Sequence, residues 1–281
     1  MLDALNYEFM RYALVAAIFT GLAAPAIGTF LVQRRLALLG DGLGHVALTG
    51  VALGLITNIA PILTAVAVAI VGAVLIELLR MYGRTSADVA LAMLFYGGLA
   101  GGVLLTSLAD ESINSLNAYL FGAITTVSTT DLVVVGILGV VVIALSLGLS
   151  PQLFAVCQDE EHAKVSGVPT RAYSILIAVL AAVTITVAMK TVGLLLVSAL
   201  MVVPVAASQQ LTRSFRTTHL LAMAIGLFAA VGGLFGSYQL DTPPGPTIVM
   251  IALIVFAAAA TGGAVLTRTR SRRARVASAT E

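Results

Sequence analysis

The chain has no tryptophan and a single cysteine, Cys157, among its 281 residues. A lone cysteine excludes an internal disulfide and a thiolate cluster. Without Trp, any aromatic belt at a membrane surface must come from Tyr and Phe. Charge is also scarce: Asp, Glu, Lys and Arg make up 10% of the residues, against about 25% in soluble domains. Lysine occurs only at Lys164 and Lys190, and neither closes a G-x-x-x-x-G-K-[ST] loop. The chain therefore lacks a P-loop for ATP hydrolysis of its own. It has no H-E-x-x-H pair, and Gly40-x-Gly-x-Gly44 lacks the strand–helix setting of a dinucleotide site.

What is present is apolar: 59% of residues are hydrophobic, and the mean hydropathy is +1.06. Such a chain is an all-α, polytopic membrane protein. The N-terminus does not read as a cleaved signal peptide, because Asp3 and Glu8 precede Arg11 and the apolar run Tyr12 to Val32 is longer than an h-region. Spans of about 20 apolar residues are expected near 12–33, 36–57, 59–79, 89–108, 132–150, 173–190, 192–211, 219–237 and 246–267. That makes a fold of about 8–9 transmembrane helices. The second span is Gly-rich and is expected to be broken. The segment Leu116 to Gly122 reads as a short helix dipping into the membrane surface. Residues 1–267 form one membrane domain, and 268–281 form a basic tail.

The basic residues give this map an orientation. One side holds Arg34, Arg35, Arg80, Arg84, Lys164, Arg171, Arg213, Arg216 and the five tail arginines between Arg268 and Arg275; the other holds only Arg11 and Lys190. By the positive-inside rule the N-terminus is outside and the C-terminus cytoplasmic. The tail directly follows a span, so it is expected to meet anionic lipid headgroups rather than nucleic acid.

Within the second span lies Leu39-Gly-Asp-Gly-Leu-Gly-His-Val46. An ionisable residue at the centre of a membrane helix costs about 2.5–3.5 kcal/mol on insertion scales, and this helix keeps Asp41 and His45. Four residues apart, they share one helix face. A carboxylate and an imidazole suit a divalent transition metal. Glycines on both sides leave room for an ion or for a close helix neighbour. Two ligands are too few for a tight site, which suits transient binding along a pathway. The bland alternative is an Asp–His hydrogen-bonded pair that only fixes packing. Metal ligation needs a neutral imidazole.

The loop Ser150 to Pro169 contains a second feature. Asp159 is placed to cap a short helix with acidic Glu160 and Glu161 in its first turn, stopped by Gly167 and Pro169. Its shape fits a docking element, or equally an ordinary solvated loop helix. Cys157 and His162 are too sparse to read as metal ligands. His219 is expected at the interface, Glu77 to snorkel or pair with Arg80, and Met201 to pack. Pro204 is expected to kink the seventh span. The glycine pairs Gly50-x-x-x-Gly54 and Gly97-x-x-x-Gly101 read as ordinary close helix packing.

The run Arg34 to Gly54, with its Leu-Gly-Asp-Gly-Leu-Gly-His core, resembles the signature of the manganese/zinc/iron ABC transporter permeases, the ABC-3 family. Leu120-Phe-Gly-Ala123, the stretch Asp159 to Val168, Val192 to Ala207 and Pro244-Gly-Pro-Thr-Ile-Val249 resemble further family segments, in order. The sequence departs from the pattern at Gly42 and Gly44, where many relatives carry Ala and Ser, and at Ala206-Ala207, which lacks the usual Thr.

The resemblance implies a type II-like importer permease of the bacterial plasma membrane, importing Mn, Zn or Fe, with no permanently bound cofactor. It implies a homodimer, two cytoplasmic ATPase subunits that bind the ATP, and an extracytoplasmic metal-binding protein that delivers the ion. Asp41 and His45 correspond to residues lining the translocation pathway. Asp159, Glu160, Ala163, Gly167 and Val168 correspond to the coupling helix that docks into the ATPase. An ion- or proton-coupled secondary transporter is the rival reading.

Overall fold

The computed structural model describes residues 6–82, 87–108, 119–122, 128–189 and 192–277. Eleven helices of six residues or more are found among them: α1 Glu8–Gln33, α2 Leu39–Thr57, α3 Pro61–Tyr82, α4 Ala87–Leu108, α5 Thr129–Gly148, α6 Ser150–Gln158, α7 Glu160–Val165, α8 Thr170–Met189, α9 Leu194–Leu211, α10 Phe215–Leu240 and α11 Pro244–Ala277. Eight of them are long and apolar enough to cross a bilayer, and α9 contributes the shorter apolar helix Leu196–Leu211. These nine coincide with the nine expected spans. Only part of the expected surface-dipping helix, Tyr119 to Gly122, lies within the described residues.

The ends follow local chemistry. Ser128 and Asp131 form a reciprocal capping box at the start of α5, with both bonds at 3.1 Å. Asn58 ends α2 and Asp241 ends α10, each in the left-handed conformation. The Ser150-Pro start of α6 uses Pro151 where a missing N–H costs nothing. Sequence reading ran the fifth span into a loop here and missed this helix.

Burial separates inner from outer helices. The most apolar windows of α1, α2 and α8 are 72%, 67% and 72% buried, whereas that of α4 is 17% buried. The centre is built from small side chains, including Ala16, Ala23, Ala24, Ala47, Ala181 and Ala182. Lipid offers no hydrophobic drive between helices, so close van der Waals approach must hold the bundle together. Gly28 shows how close: a Cβ there would lie 2.7 Å from the carbonyl carbon of Met201 and run into its oxygen. The α9 backbone thus rests directly on α1.

The expected break in α2 does not occur; the helix is continuous from Leu39 to Thr57. Its glycines serve as contact points instead. Gly50 and Gly54 face Ala65, Thr64 and Pro61 of α3, while Gly40 and Gly44 face Ser198 and Leu194 of α9. Close neighbours on several sides offset the roughly 1 kcal/mol that each helical glycine costs relative to alanine. The pair at 97 and 101 behaves differently: a Cβ on Gly97 meets nothing within 4 Å, and Gly98 makes the close approach, to the backbone of His45 and Val46.

Three of the stretches quoted above meet at the start of α9. Gly193 has φ +86, and a Cβ on it would lie 2.5 Å from the backbone nitrogen of Gly122. A Cβ on Gly245 would lie 2.8 Å from the carbonyl oxygen of Phe121. Leu120–Gly122, Val192–Gly193 and Pro244–Gly245 are therefore one backbone knot that anchors α9 at this end.

Candidate functional site

Asp41 lies in the first turn of α2 and His45 one turn further on. His45 is buried, at 7% exposure, and its Nδ1 has no hydrogen-bond partner. Phe95 of α4 sets its ring edge-on to the imidazole, with centroids 4.5 Å apart. Thr49, the next residue on that face, donates to the Gly98 carbonyl at 2.8 Å and fastens α4 across α2.

Asp41 finds its partner on a third helix. Ser198 of α9 donates its hydroxyl to the Asp41 carboxylate. The approach depends on Gly40, since a Cβ there would lie 3.0 Å from Ser198 Cβ and 3.8 Å from Met201 Sδ. No hydrogen bond or ion pair between Asp41 and His45 is found among the described residues. The arrangement is thus not a closed Asp–His pair. It is a carboxylate held from one side and an imidazole nitrogen left without a protein partner. A buried polar atom without a partner asks for an explanation.

Sequence reasoning missed Ser198 and Phe95. Ser198 lies 157 residues from Asp41 in the chain; its one local signal was its position on the same α9 face as Met201, three residues on. Among the described residues no group of three or more His, Cys, Asp or Glu converges on a point. Around Asp41 the described residues thus bring together one carboxylate and one imidazole.

His219, expected at the membrane interface, lies near the start of α10 and is 2% exposed. Phe30 and Phe215 pack on its ring at 5.4 and 5.8 Å, because α1 carries a large aromatic to the same level. The cavity of about 710 Å³ beside it is lined by Leu147, Pro151, Phe154 and Arg216 among others, and neither Asp41 nor His45 lines it. Met201 is fully buried, as expected of a packing residue.

The Ser150–Pro169 loop folds as α6 and α7. Asp159 accepts from the His162 backbone N–H at 2.9 Å, capping α7. At the far end Gly167 takes φ +83, its N–H bonds the Lys164 carbonyl at 3.1 Å, and the Val168 N–H bonds the Ala163 carbonyl at 3.0 Å. That is a Schellman cap. Asp159, Ala163, Gly167 and Val168 are thus the residues that define both ends of a two-turn helix. Glu160 and Glu161 remain exposed on it.

Cys157, near the end of α6, is largely enclosed; burial pushes its thiol up to about 12, with the Arg34 and Arg80 charges opposing that rise. The nucleophile is the thiolate, so Cys157 is expected to resist maleimide at neutral pH in the folded protein and to react rapidly after denaturation. Equal alkylation rates in the two states, followed by mass spectrometry, would contradict this placement.

Comparison with known proteins bears on the whole chain. The profile of the ABC 3 transport family matches residues 6–262. The "Manganese import system permease protein ScaB" of Streptococcus gordonii is 31% identical over 254 residues, 89% of this chain and 90% of that protein. The "High-affinity zinc uptake system membrane protein ZnuB" of Haemophilus influenzae is 29% identical over 250 residues, 89% of this chain and 96% of that protein. The solved structure "PsaBC from Streptococcus pneumoniae in complex with Fab" superposes with a TM-score of 0.83 at 30% identity, covering 92% of this chain and 93% of that one.

Proposed function

The chain belongs to the ABC 3 transport family, and from that premise we propose that it carries manganese or zinc through the membrane past Asp41 and His45, as the permease subunit of an ATP-driven importer. One observation carries the site: His45 Nδ1 is buried without a partner one turn from a carboxylate that does not bond it.

The cation enters this reading as the transported substrate. Losing its hydration shell inside the bilayer is the barrier to passage. Asp41 lowers it with a full negative charge, and His45 with a neutral nitrogen ligand. Ser198 holds the carboxylate in place, so the ligand need not be ordered at the moment of binding. Phe95 packs edge-on against the imidazole and holds the ring in place. A second copy of the chain would add a second Asp and His across a two-fold axis, and the exposed side of α4 beside the pair suits such a neighbour.

We assign ATP to cytoplasmic ATPase partners, with the α6–α7 loop as their docking point and an extracytoplasmic metal-binding protein delivering the ion. The arginine distribution supports a cytoplasmic loop and C-terminus and an outside N-terminus in the inner membrane.

Proteoliposomes holding the permease with its ATPase and a loaded delivery protein test the function. Radiolabelled Mn or Zn is expected to accumulate only when ATP is supplied. Accumulation driven by a proton gradient, without ATP or the ATPase, would contradict the reading and favour ion-coupled secondary transport.

A further inference from the structure

Two consecutive side chains join the α6–α7 loop to the end of α1, just before the turn into α2. Gln33, the last residue of α1, donates its amide to Gln158 Oε1 at 2.7 Å. Arg34 reaches further. Its side chain is 6% exposed, and Nη2 donates to Ser174 Oγ of α8 at 2.7 Å and lies 3.5 Å from Glu160 Oε2 of α7. Its Nη1 lies 3.7 Å from Glu77 Oε1 of α3, which Arg80 approaches to 3.2 Å. One guanidinium thus meets α3, α7 and α8 at the end of α1. Arginine alone offers five donors in a rigid fork, so neither lysine nor an amide can span three helices in this way.

The backbone after Arg34 is tightly wound. Arg35 takes φ +59, a conformation that L side chains adopt at a cost. Leu36 N–H bonds back to the Leu31 carbonyl at 2.8 Å, and Leu39 N–H to the Leu36 carbonyl at 3.0 Å. α2 begins at Leu39, and Asp41 lies in its first turn. A shift of Glu160 therefore has a short route to Asp41: one ion pair, then the turn at residues 35–38 and the first turn of α2.

We propose that Arg34 is the positioning residue that transmits movement of the α6–α7 loop to the metal-bearing end of α2. The proposal rests on the reading of that loop as the ATPase docking point. A buried pair such as Arg34–Glu77 contributes little net stability after desolvation. Its use here is to set the position of the α1–α2 turn relative to three other helices. Glu160, its side chain 48% exposed, is the part of the joint that an outside partner can move. Arg34 touches no transported ion; it acts through the placement of Asp41.

The test measures ions transported per ATP hydrolysed, in proteoliposomes of the permease with its ATPase. Arg34→Gln is expected to leave complex assembly and ATP hydrolysis in place while lowering that ratio about tenfold, the usual scale of coupling between sites. Glu160→Gln is expected to lower it by a smaller factor, and the double variant to be no worse than Arg34→Gln, since Arg34→Gln already removes the one contact that Glu160→Gln removes. An unchanged ratio in Arg34→Gln, or additive losses in the double variant, would overturn the proposal. If Arg34→Gln fails to assemble, the surface variant Glu160→Gln decides: a lowered ratio supports transmission and a wild-type ratio overturns it. A separate arm addresses the docking premise. Glu161→Cys, with Cys157 replaced by Ser, is expected to cross-link to the ATPase. Absence of that cross-link would overturn the docking reading itself, whatever the ratio in the Arg34 variant.

Discussion

Asp41→Asn and His45→Ala are each expected to cut ATP-driven manganese or zinc uptake by about a hundredfold or more. Removing even an outer partner of a metal ligand commonly costs 10–100-fold (roughly) in affinity or activity, so loss of a ligand itself belongs at or beyond the upper end. The Asn variant is the sharper of the two. It keeps the size of the side chain and an oxygen that can still accept from Ser198. Packing of α2 against α9 therefore survives, and only the charge is lost. If Asp41 merely fixed helix packing, Asp41→Asn would transport at the wild-type rate. His45→Ala leaves a cavity under Phe95, so its uptake must be read at matched folded protein. ATP hydrolysis by the complex is expected to persist in both, because neither residue belongs to the α6–α7 loop.

Gly28→Ala is expected to be strongly destabilising. The added Cβ would fall 2.7 Å from the Met201 carbonyl carbon and run into the carbonyl oxygen. Backbone cannot turn aside as a side chain can, so α9 must move away from α1. Overpacking costs typically 1–3 kcal/mol (about) and more where rigid groups collide; here about 3 kcal/mol or more is expected. Displacing α9 also withdraws Ser198 from Asp41, so uptake falls together with stability. The check is the thermal midpoint of the purified permease in detergent, with Gly97→Ala as control. Gly97 faces open space, and its alanine variant is expected to melt like the wild type. Equal midpoints for the two variants would contradict the packing described.

Much of this architecture was legible in the chain because its solvent is lipid. A span must be long, apolar and helical, so nine apolar runs gave nine helices within a few residues at most ends. The Asp41–His45 face was legible for the same reason: spacing of four on a helix needs no tertiary knowledge. The caps of α7 were legible from Asp159 and Gly167, whose roles are local. What escaped was whatever depends on helices meeting. Gly40 hints at a close neighbour but cannot say that the neighbour brings Ser198. Glu77 was expected to snorkel or to pair with Arg80; it does meet Arg80, yet Arg34, 43 residues earlier in the chain, shares it. α2 was expected to break because its glycines weaken an isolated helix, and it stays whole because α3, α4 and α9 press on those same glycines. The place of His219 at a span end was legible, but not that Phe30 on another helix would pack on its ring.

The central claim is that the transported ion passes through the coordination of His45 and Asp41. X-ray absorption on zinc held in the permease–ATPase complex, trapped with a hydrolysis-inactive ATPase, tests it most directly. The wild type is expected to show a nitrogen and oxygen shell with Zn–N and Zn–O distances of about 2.0–2.2 Å and the multiple scattering of imidazole, and His45→Ala to lose the imidazole signal. The same spectrum from both proteins would contradict the account.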